Sequence, residues 1–275
     1  MDARPALVDE LVGAGLARRE ARWLVEELLV GDDDAARGAF DAAVRRRLAG
    51  EPLQYVLGHW PFRGLDLDLD ERVLIPRPES EEVVGHALAA LARGDAASPR
   101  VVDLGCGSGA IGLAIVTELA RRGVTATLVG VDRSAGALAV ARRNARKHAV
   151  TGATFVRSSW FADLDPSLRG RVDVVVANPP YVGAEELARL DPVLAYEPRE
   201  ALVAPDEGGV AGFADVSHVI RAAPPWLTSG GHLVVEHGES QGGAAVEVAR
   251  AAGLVEVVDH ADVAGRPRVL TARRP

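Results

Sequence analysis

Apolar positions along this chain follow two periods, and the switch between them divides it. From residue 5 to 49 they recur at helical spacing: Leu24 with Leu28, and Val25 with Leu29, stand one turn apart beside Trp23. Breaks at Gly13-Ala14-Gly15 and Gly31-Asp32-Asp33-Asp34 separate the helices, and the aspartates are placed to cap the next one, which runs toward Leu48. A small helical bundle is expected, with Trp23 and its leucines as core. Between Gly50 and Pro78 the period shortens. Leu65-Asp66-Leu67-Asp68-Leu69-Asp70 alternates strictly and is followed by Arg72-Val73-Leu74-Ile75, which predicts a β-hairpin with one face buried. The prolines of Ile75-Pro76-Arg77-Pro78-Glu79 stiffen an extended segment, and Ser80 with Glu82 nearby opens a helix to Leu91.

From Arg100 onward apolar runs and helical segments alternate, the pattern of a parallel sheet covered on both faces. Strands are expected near 101–104, 127–131, 154–157, 172–177, 232–236, 254–259 and 268–273, with helices near 109–121, 134–147, 215–223 and 240–252. The last two strands follow each other directly and predict an antiparallel hairpin finishing a seven-stranded α/β sheet. The expected division is a helical domain over 1–58, a hairpin linker over 59–78 and an α/β domain over 79–275.

Composition narrows the classes. At 275 residues and 48% hydrophobic the chain can bury a substantial core. A formal charge of -8 argues against broad attraction to a nucleic-acid backbone, and the runs Arg18-Arg19 and Arg45-Arg46-Arg47 are expected to be solvated helix faces. The one cysteine, Cys106, rules out an intrachain disulfide and any zinc site needing several thiolates, and fits a reducing cytosol. Neither export nor membrane insertion is indicated, so a cytoplasmic protein is expected. The seven histidines, His59, His86, His148, His218, His232, His237 and His260, show no metal-ligand spacing, and no metal is expected. His237, near the ligand edge of the sheet, is expected to pack.

Candidate chemistry gathers at strand ends. The first sheet strand leads into Asp103-Leu104-Gly105-Cys106-Gly107-Ser108-Gly109-Ala110-Ile111-Gly112, where bare backbone amides at a helix N-terminus can hold a ligand. The second ends in Val131-Asp132, a carboxylate placed to accept two ribose hydroxyls. Alone this pair is ambiguous, because Gly105, Gly107 and Ala110 also fit a dinucleotide fingerprint. After the third strand, Trp160 can face an adenine or simply pack. The fourth strand, Val174-Val175-Val176-Ala177, stops abruptly at Asn178-Pro179-Pro180-Tyr181. A nicotinamide enzyme needs an acid or base near its carbonyl, and this turn offers none. A planar nitrogen awaiting methylation has a delocalised lone pair, and two acceptors, the Asn178 side-chain oxygen and the Pro179 carbonyl, can hold its N–H groups while Tyr181 stacks on it. The methyl donor would be S-adenosylmethionine, with Asp132, Trp160 and the glycine loop matching its ribose, adenine and methionine parts.

Asn178-Pro179-Pro180-Tyr181 together with Asp103 to Gly109 resembles the class I methyltransferases that modify planar nitrogens. More narrowly, Gly50-Glu51-Pro52-Leu53-Gln54-Tyr55, Leu74-Ile75-Pro76-Arg77-Pro78-Glu79-Ser80-Glu81, Tyr196-Glu197-Pro198-Arg199-Glu200-Ala201-Leu202 and Glu236-His237-Gly238 are similar to the peptide-chain release factor glutamine methyltransferases, the PrmC/HemK family. The resemblance implies a Rossmann-like class I α/β domain preceded by a small helical N-terminal domain and a linking β-hairpin. It implies methyl transfer from S-adenosylmethionine to the side-chain amide nitrogen of the glutamine in the Gly-Gly-Gln motif of bacterial release factors, releasing S-adenosylhomocysteine. Carried over by position, Asp103, Gly105, Cys106, Gly107, Ser108, Gly109, Asp132, Trp160 and Asn178 would hold the cofactor. Asn178, Pro179, Pro180 and Tyr181, with Arg77 and Glu79 on the same wall, would hold the glutamine, and the helical domain would grip the release factor, with no direct nucleic-acid or membrane partner. Residues 208–215 depart from the more regular Gly-Leu-Asp pattern of relatives, and Cys106 stands where they often have threonine. The alternatives are an adenine-N6 DNA or RNA methyltransferase, which the acidic charge disfavours, a dinucleotide-dependent oxidoreductase, which shares only the glycine loop, and a binding module without catalysis.

Overall fold

In a computed structural model the described residues are 4–29, 33–187 and 189–275. The break expected at Gly31-Asp32 lies outside them. The chain opens with helices α1 (Arg4–Gly13), α2 (Arg18–Leu28), α3 (Asp34–Leu48) and the short α4 (Leu53–Leu57). Asp33 caps α3 as its side chain accepts from the Ala36 amide at 2.7 Å. These helices share a core of Leu11, Ala21, Leu24, Val25, Phe40, Leu53 and Val56. Trp23 lies at the edge of that core, edge-on to Trp60 at 5.1 Å, with the Arg19 guanidinium over its ring. The basic runs are only partly solvated: Arg47 reaches Glu20 on α2 at 3.0 Å, and Arg46 pairs with Glu51.

The hairpin forms from strands β1 (His59–Phe62) and β2 (Leu65–Asp68), joined by Arg63 and Gly64, both at positive φ. Its register differs from the expected one. The second strand was expected over 72–75, but that stretch is unpaired with any strand, because the Ile75 amide is taken by the Glu197 carboxylate at 3.0 Å. Leu65, Leu67 and Leu69 are buried as the alternation predicts. The opposite face is not left to water. Asp66 and Asp68 meet Lys147, at 2.7 Å each, and Asp68 also meets Arg143, while the buried Asn144 side chain bonds both backbone groups of Asp68.

After α5 (Ser80–Leu91), the main sheet is built from β3 (Arg100–Leu104), α6 (Ala110–Arg121), β4 (Thr127–Asp132), α7 (Ala135–Lys147), β5 (Ala153–Arg157), β6 (Val172–Ala177), the one-turn helices α8 (Ala184–Leu187) and α9 (Arg199–Leu202), α10 (Ala214–Ala222), β7 (Leu227–Glu236), α11 (Gly242–Ala251), β8 (Val255–Ala261) and β9 (Pro267–Arg273). Its seven strands stand in the order β5-β4-β3-β6-β7-β9-β8. Strands β3 to β7 run parallel, and β9 inserts antiparallel between β7 and β8. The central strands read as unbroken β-branched runs because helices cover both faces: Val174, Val175, Val176 and Ala177 have no exposed surface. The chain order reverses between β3 and β6, so their carboxyl ends diverge into a crevice, the place where open α/β sheets receive ligands.

Candidate active site

The loop after β3 occupies one side of the crevice. Gly105, Gly107 and Gly109 all have positive φ, which side chains resist, and Gly109 then starts α6. At Gly105 a Cβ would also sit 3.4 Å from the Trp160 ring, so the indole rests on bare backbone. Beneath the loop, Asp103 accepts from the Gly112 amide at 2.9 Å and ties strand to helix. Its burial pushes the carboxyl up to about 7, helped by the neighbouring Asp132 charge and opposed by the Gly112 hydrogen bond.

A carboxyl raised in the folded state holds its proton more tightly than in the unfolded chain. The stability it contributes is complete below the ordinary value of 3.8 and is lost as pH rises through about 7. Urea titrations of Asp103→Asn and the wild type should therefore diverge across that window, in favour of the variant by up to roughly 4 kcal/mol. A difference that does not change with pH would contradict this.

Asp132, at the end of β4, accepts from the Gly107 amide at 2.9 Å and the Ser134 amide at 2.8 Å. Each oxygen keeps a lone pair for a further donor. Burial raises this carboxyl despite those two bonds. Trp160 follows β5 at a φ of 53°, and the Asp215 carboxylate at the start of α10 lies within hydrogen-bonding reach of its side chain. Between them opens a solvent-connected cleft, lined among others by Gly105, Gly107, Asp132, Trp160, Asn178 and Pro180.

Strand β6 delivers Asn178 and Pro180 to the other wall. The Asn178 side-chain amide donates to Ser80 Oγ at 3.0 Å, and Ser80 Oγ donates to Glu236 Oε2 at 2.7 Å. The Tyr181 hydroxyl donates to the other oxygen of Glu236 at 3.1 Å, and the Arg268 guanidinium lies 5.7 Å from the Tyr181 ring centre. Burial and the Glu236 charge push the Tyr181 phenol well above its ordinary range. The Gln241 amide fixes the turn from behind, donating to the carbonyls of Tyr181 at 2.9 Å and Ala211 at 2.7 Å. Gly212 passes so close that an added Cβ would stand 2.3 Å from the Tyr181 carbonyl, so the 208–215 segment is packed onto the Asn178–Tyr181 turn.

The crevice thus gathers Gly105, Gly107, Asp132, Trp160, Asn178 and Pro180, all of them anticipated. Other anticipated residues stand elsewhere. Arg77 pairs with the buried Glu197, and Glu79 with Arg266 at 3.2 Å, so these two brace the 74–80 segment and are not among the residues lining the cavity. Asp103, Cys106, Ser108 and Gly109 are buried, shaping the loop from below, while Pro179 is buried between the cavity-lining Asn178 and Pro180 and the half-buried Tyr181 follows them, neither of the two being itself among the lining residues. The Ser108 carbonyl accepts from Asn144, which links the loop to the hairpin. His237 is buried between the Gly238 carbonyl and Asp259, consistent with packing. Ser80, Glu236 and Asp215 were not anticipated as site residues. Ser80 opens α5 as its place ahead of the helix predicts, but its hydroxyl turns toward Asn178 and Glu236 and makes no cap. Among the described residues no group of three or more His, Cys, Asp or Glu is placed to hold a metal ion, and no helix is long and apolar enough to cross a membrane.

Comparison with known proteins adds to this. Residues 96–260 match a methyltransferase domain family, and residues 3–58 match the PrmC N-terminal domain. A release factor glutamine methyltransferase of Burkholderia pseudomallei is 40% identical over 100% of this chain and 92% of its own. One of Bordetella pertussis is 41% identical over 96% and 97% respectively. Among solved structures, the Thermus thermophilus 16S rRNA N2 G1207 methyltransferase, in complex with AdoMet and guanosine, aligns with a TM-score of 0.54 at 17% identity over 79% of this chain and 50% of its own. That likeness concerns the fold, which is the class I methyltransferase α/β fold.

Proposed function

The chain belongs to the release factor glutamine methyltransferases, and we propose that it transfers a methyl group from S-adenosylmethionine to the side-chain amide nitrogen of the glutamine in the Gly-Gly-Gln motif of a bacterial peptide-chain release factor. The observation that carries this beyond family membership is the meeting of Asn178 with Asp132 and the glycine loop on one cavity. The cavity fits the cofactor by its donor set: an uncommitted lone pair on each Asp132 oxygen for the ribose hydroxyls, a Trp160 face for the adenine, and a loop at Gly105 and Gly107 with no side chains in the way. Bound there, S-adenosylmethionine supplies an electrophilic methyl on its sulfonium.

The protein's own part is positioning. A carboxamide nitrogen is a poor nucleophile because its lone pair is delocalised into the carbonyl. With the Asn178 amide N–H groups turned to Ser80, its oxygen is the atom left to accept from the target, and the Pro179 carbonyl is the second acceptor. Two acceptors on the two N–H groups orient the nitrogen and favour its pyramidal form as the new bond develops. Tyr181, its hydroxyl tethered to Glu236, is assigned to stack against the flat group. We assign the helical segment up to residue 58 to docking the release factor.

The test is methyl transfer from radiolabelled cofactor to separate release factor, free Gly-Gly-Gln pentapeptide, DNA and ribosome fractions. Label on the glutamine of the release factor is expected, with kcat/KM for the pentapeptide lower by roughly 10²-fold or more, because remote binding energy serves the chemical step. Label on adenine in the DNA fraction would overturn the assignment, and equal efficiency on the pentapeptide would remove the docking role.

A further inference from the structure

We propose that Ser80 and Glu236 are positioning residues that set the polarity of the Asn178 side chain, so that its oxygen and not its NH2 group faces the methyl-accepting nitrogen. This rests on the function proposed above. An ionised carboxylate can only accept hydrogen bonds, and a serine hydroxyl has one proton to give. Ser80 Oγ lies 2.7 Å from Oε2 of the buried Glu236, so with Glu236 ionised the Ser80 proton goes to the carboxylate. The hydroxyl is then left with lone pairs only, facing Asn178 at 3.0 Å. Only the NH2 group can answer a lone pair. Rotated by half a turn, Asn178 would set its oxygen against the Ser80 lone pairs and offer NH2 to a substrate nitrogen that has only N–H groups to give. The same carboxyl group accepts from Tyr181 at 3.1 Å, so one buried side chain holds both ends of the Asn178–Tyr181 turn.

The relay works in this sense only while Glu236 is ionised. Burial raises its carboxyl above the ordinary range, while the Ser80 and Tyr181 hydroxyls and then Arg268 on β9 pull it down, and Glu79 beside Ser80 pushes it up. His237, next along the chain, turns to Gly238 and Asp259. Once protonated, Glu236 can donate to Ser80, whose own proton is then free to turn to Asn178 and stabilise the reversed amide. Methyl transfer should therefore fall as pH is lowered through the raised range of this carboxyl.

Ser80→Ala should lower kcat about tenfold, the equivalent of one hydrogen bond near 1.4 kcal/mol, with KM for the release factor and the dissociation constant of S-adenosylhomocysteine unchanged. Ser80→Thr, which keeps the hydroxyl, should recover kcat. Glu236→Gln should show a similar loss and a kcat that no longer carries the acid limb of the wild type. Wild-type kcat in Ser80→Ala beside an inactive Asn178→Ala overturns the relay and leaves the proposed function standing, whereas an active Asn178→Ala overturns the function itself. Equal losses in kcat and cofactor affinity in Ser80→Ala would mean a merely structural role and also overturn the proposal. If Glu236→Gln does not fold, judged by its thermal melt, the Ser80 pair alone decides.

Discussion

Asn178→Ala is expected to lower kcat for methyl transfer to a Gly-Gly-Gln protein by roughly 10²–10³-fold, the usual effect of removing one preorganised polar group from a reacting centre. The substitution deletes the acceptor for one N–H of the target and the donor to Ser80, leaving the nitrogen free to rotate away from the methyl group. The fold should persist, because the side chain is half-buried at a strand end and the strand behind it, Val174 to Ala177, is held on both sides by β3 and β7. Circular dichroism and calorimetric titration with S-adenosylhomocysteine would check that folding and cofactor binding are retained. Undiminished turnover would remove Asn178 from the mechanism.

Asp132→Ala should show the opposite division, with cofactor affinity lost first. Two charge-assisted hydrogen bonds to a ribose at about 1.5–3 kcal/mol each would together correspond to at least a 10²-fold weaker dissociation constant, measured by titration with S-adenosylhomocysteine. Part of that loss comes from the loop, since the same carboxylate holds the Gly107 and Ser134 amides before any ligand arrives. Asp132→Asn separates the two contributions: it keeps one acceptor and should fall between Ala and the wild type. The thermal stabilisation conferred by a fixed excess of S-adenosylhomocysteine should shrink in the same order, because at a given ligand concentration stabilisation grows with the logarithm of affinity for the folded state. An unchanged dissociation constant in Asp132→Ala would place the ribose elsewhere.

The contrast between these two residues and Arg77 or Glu79 shows what a sequence can reveal about a site. Asn178 and Asp132 sit at the ends of buried parallel strands, and in an open α/β sheet a polar residue there points into the crevice whatever its neighbours are. Arg77 and Glu79 lie on an irregular segment whose side-chain directions no period governs. Their directions are set by Glu197 and Arg266, residues 120 and 187 positions away. The hairpin illustrates the same limit. Its leucine alternation correctly fixed the buried face, but which strand partners it was decided by the tight turn at Arg63 and Gly64 and by a carboxylate claiming the Ile75 amide. Residues 208–215, irregular beside the pattern of relatives, proved to be clamped on the Tyr181 turn by Gln241 and by the absence of a side chain at Gly212.

The sequence by itself determined where strands and helices alternate, which strand ends carry polar groups, and hence the glycine loop, the Asp132 carboxylate and the Asn178–Tyr181 turn as candidates. These follow from local periods and from the chemistry of glycine and proline, which act over a few residues. Only the tertiary structure decided how the turn is held. Ser80 meets Asn178 across 98 positions and Glu236 across 156, and nothing in the spacing of either foretells it. Their meeting depends on α5 crossing the sheet beside β6 and β7, and sheet order is set by the packing of whole elements. A buried carboxyl group reaches a half-buried asparagine through a serine only when that packing brings all three together.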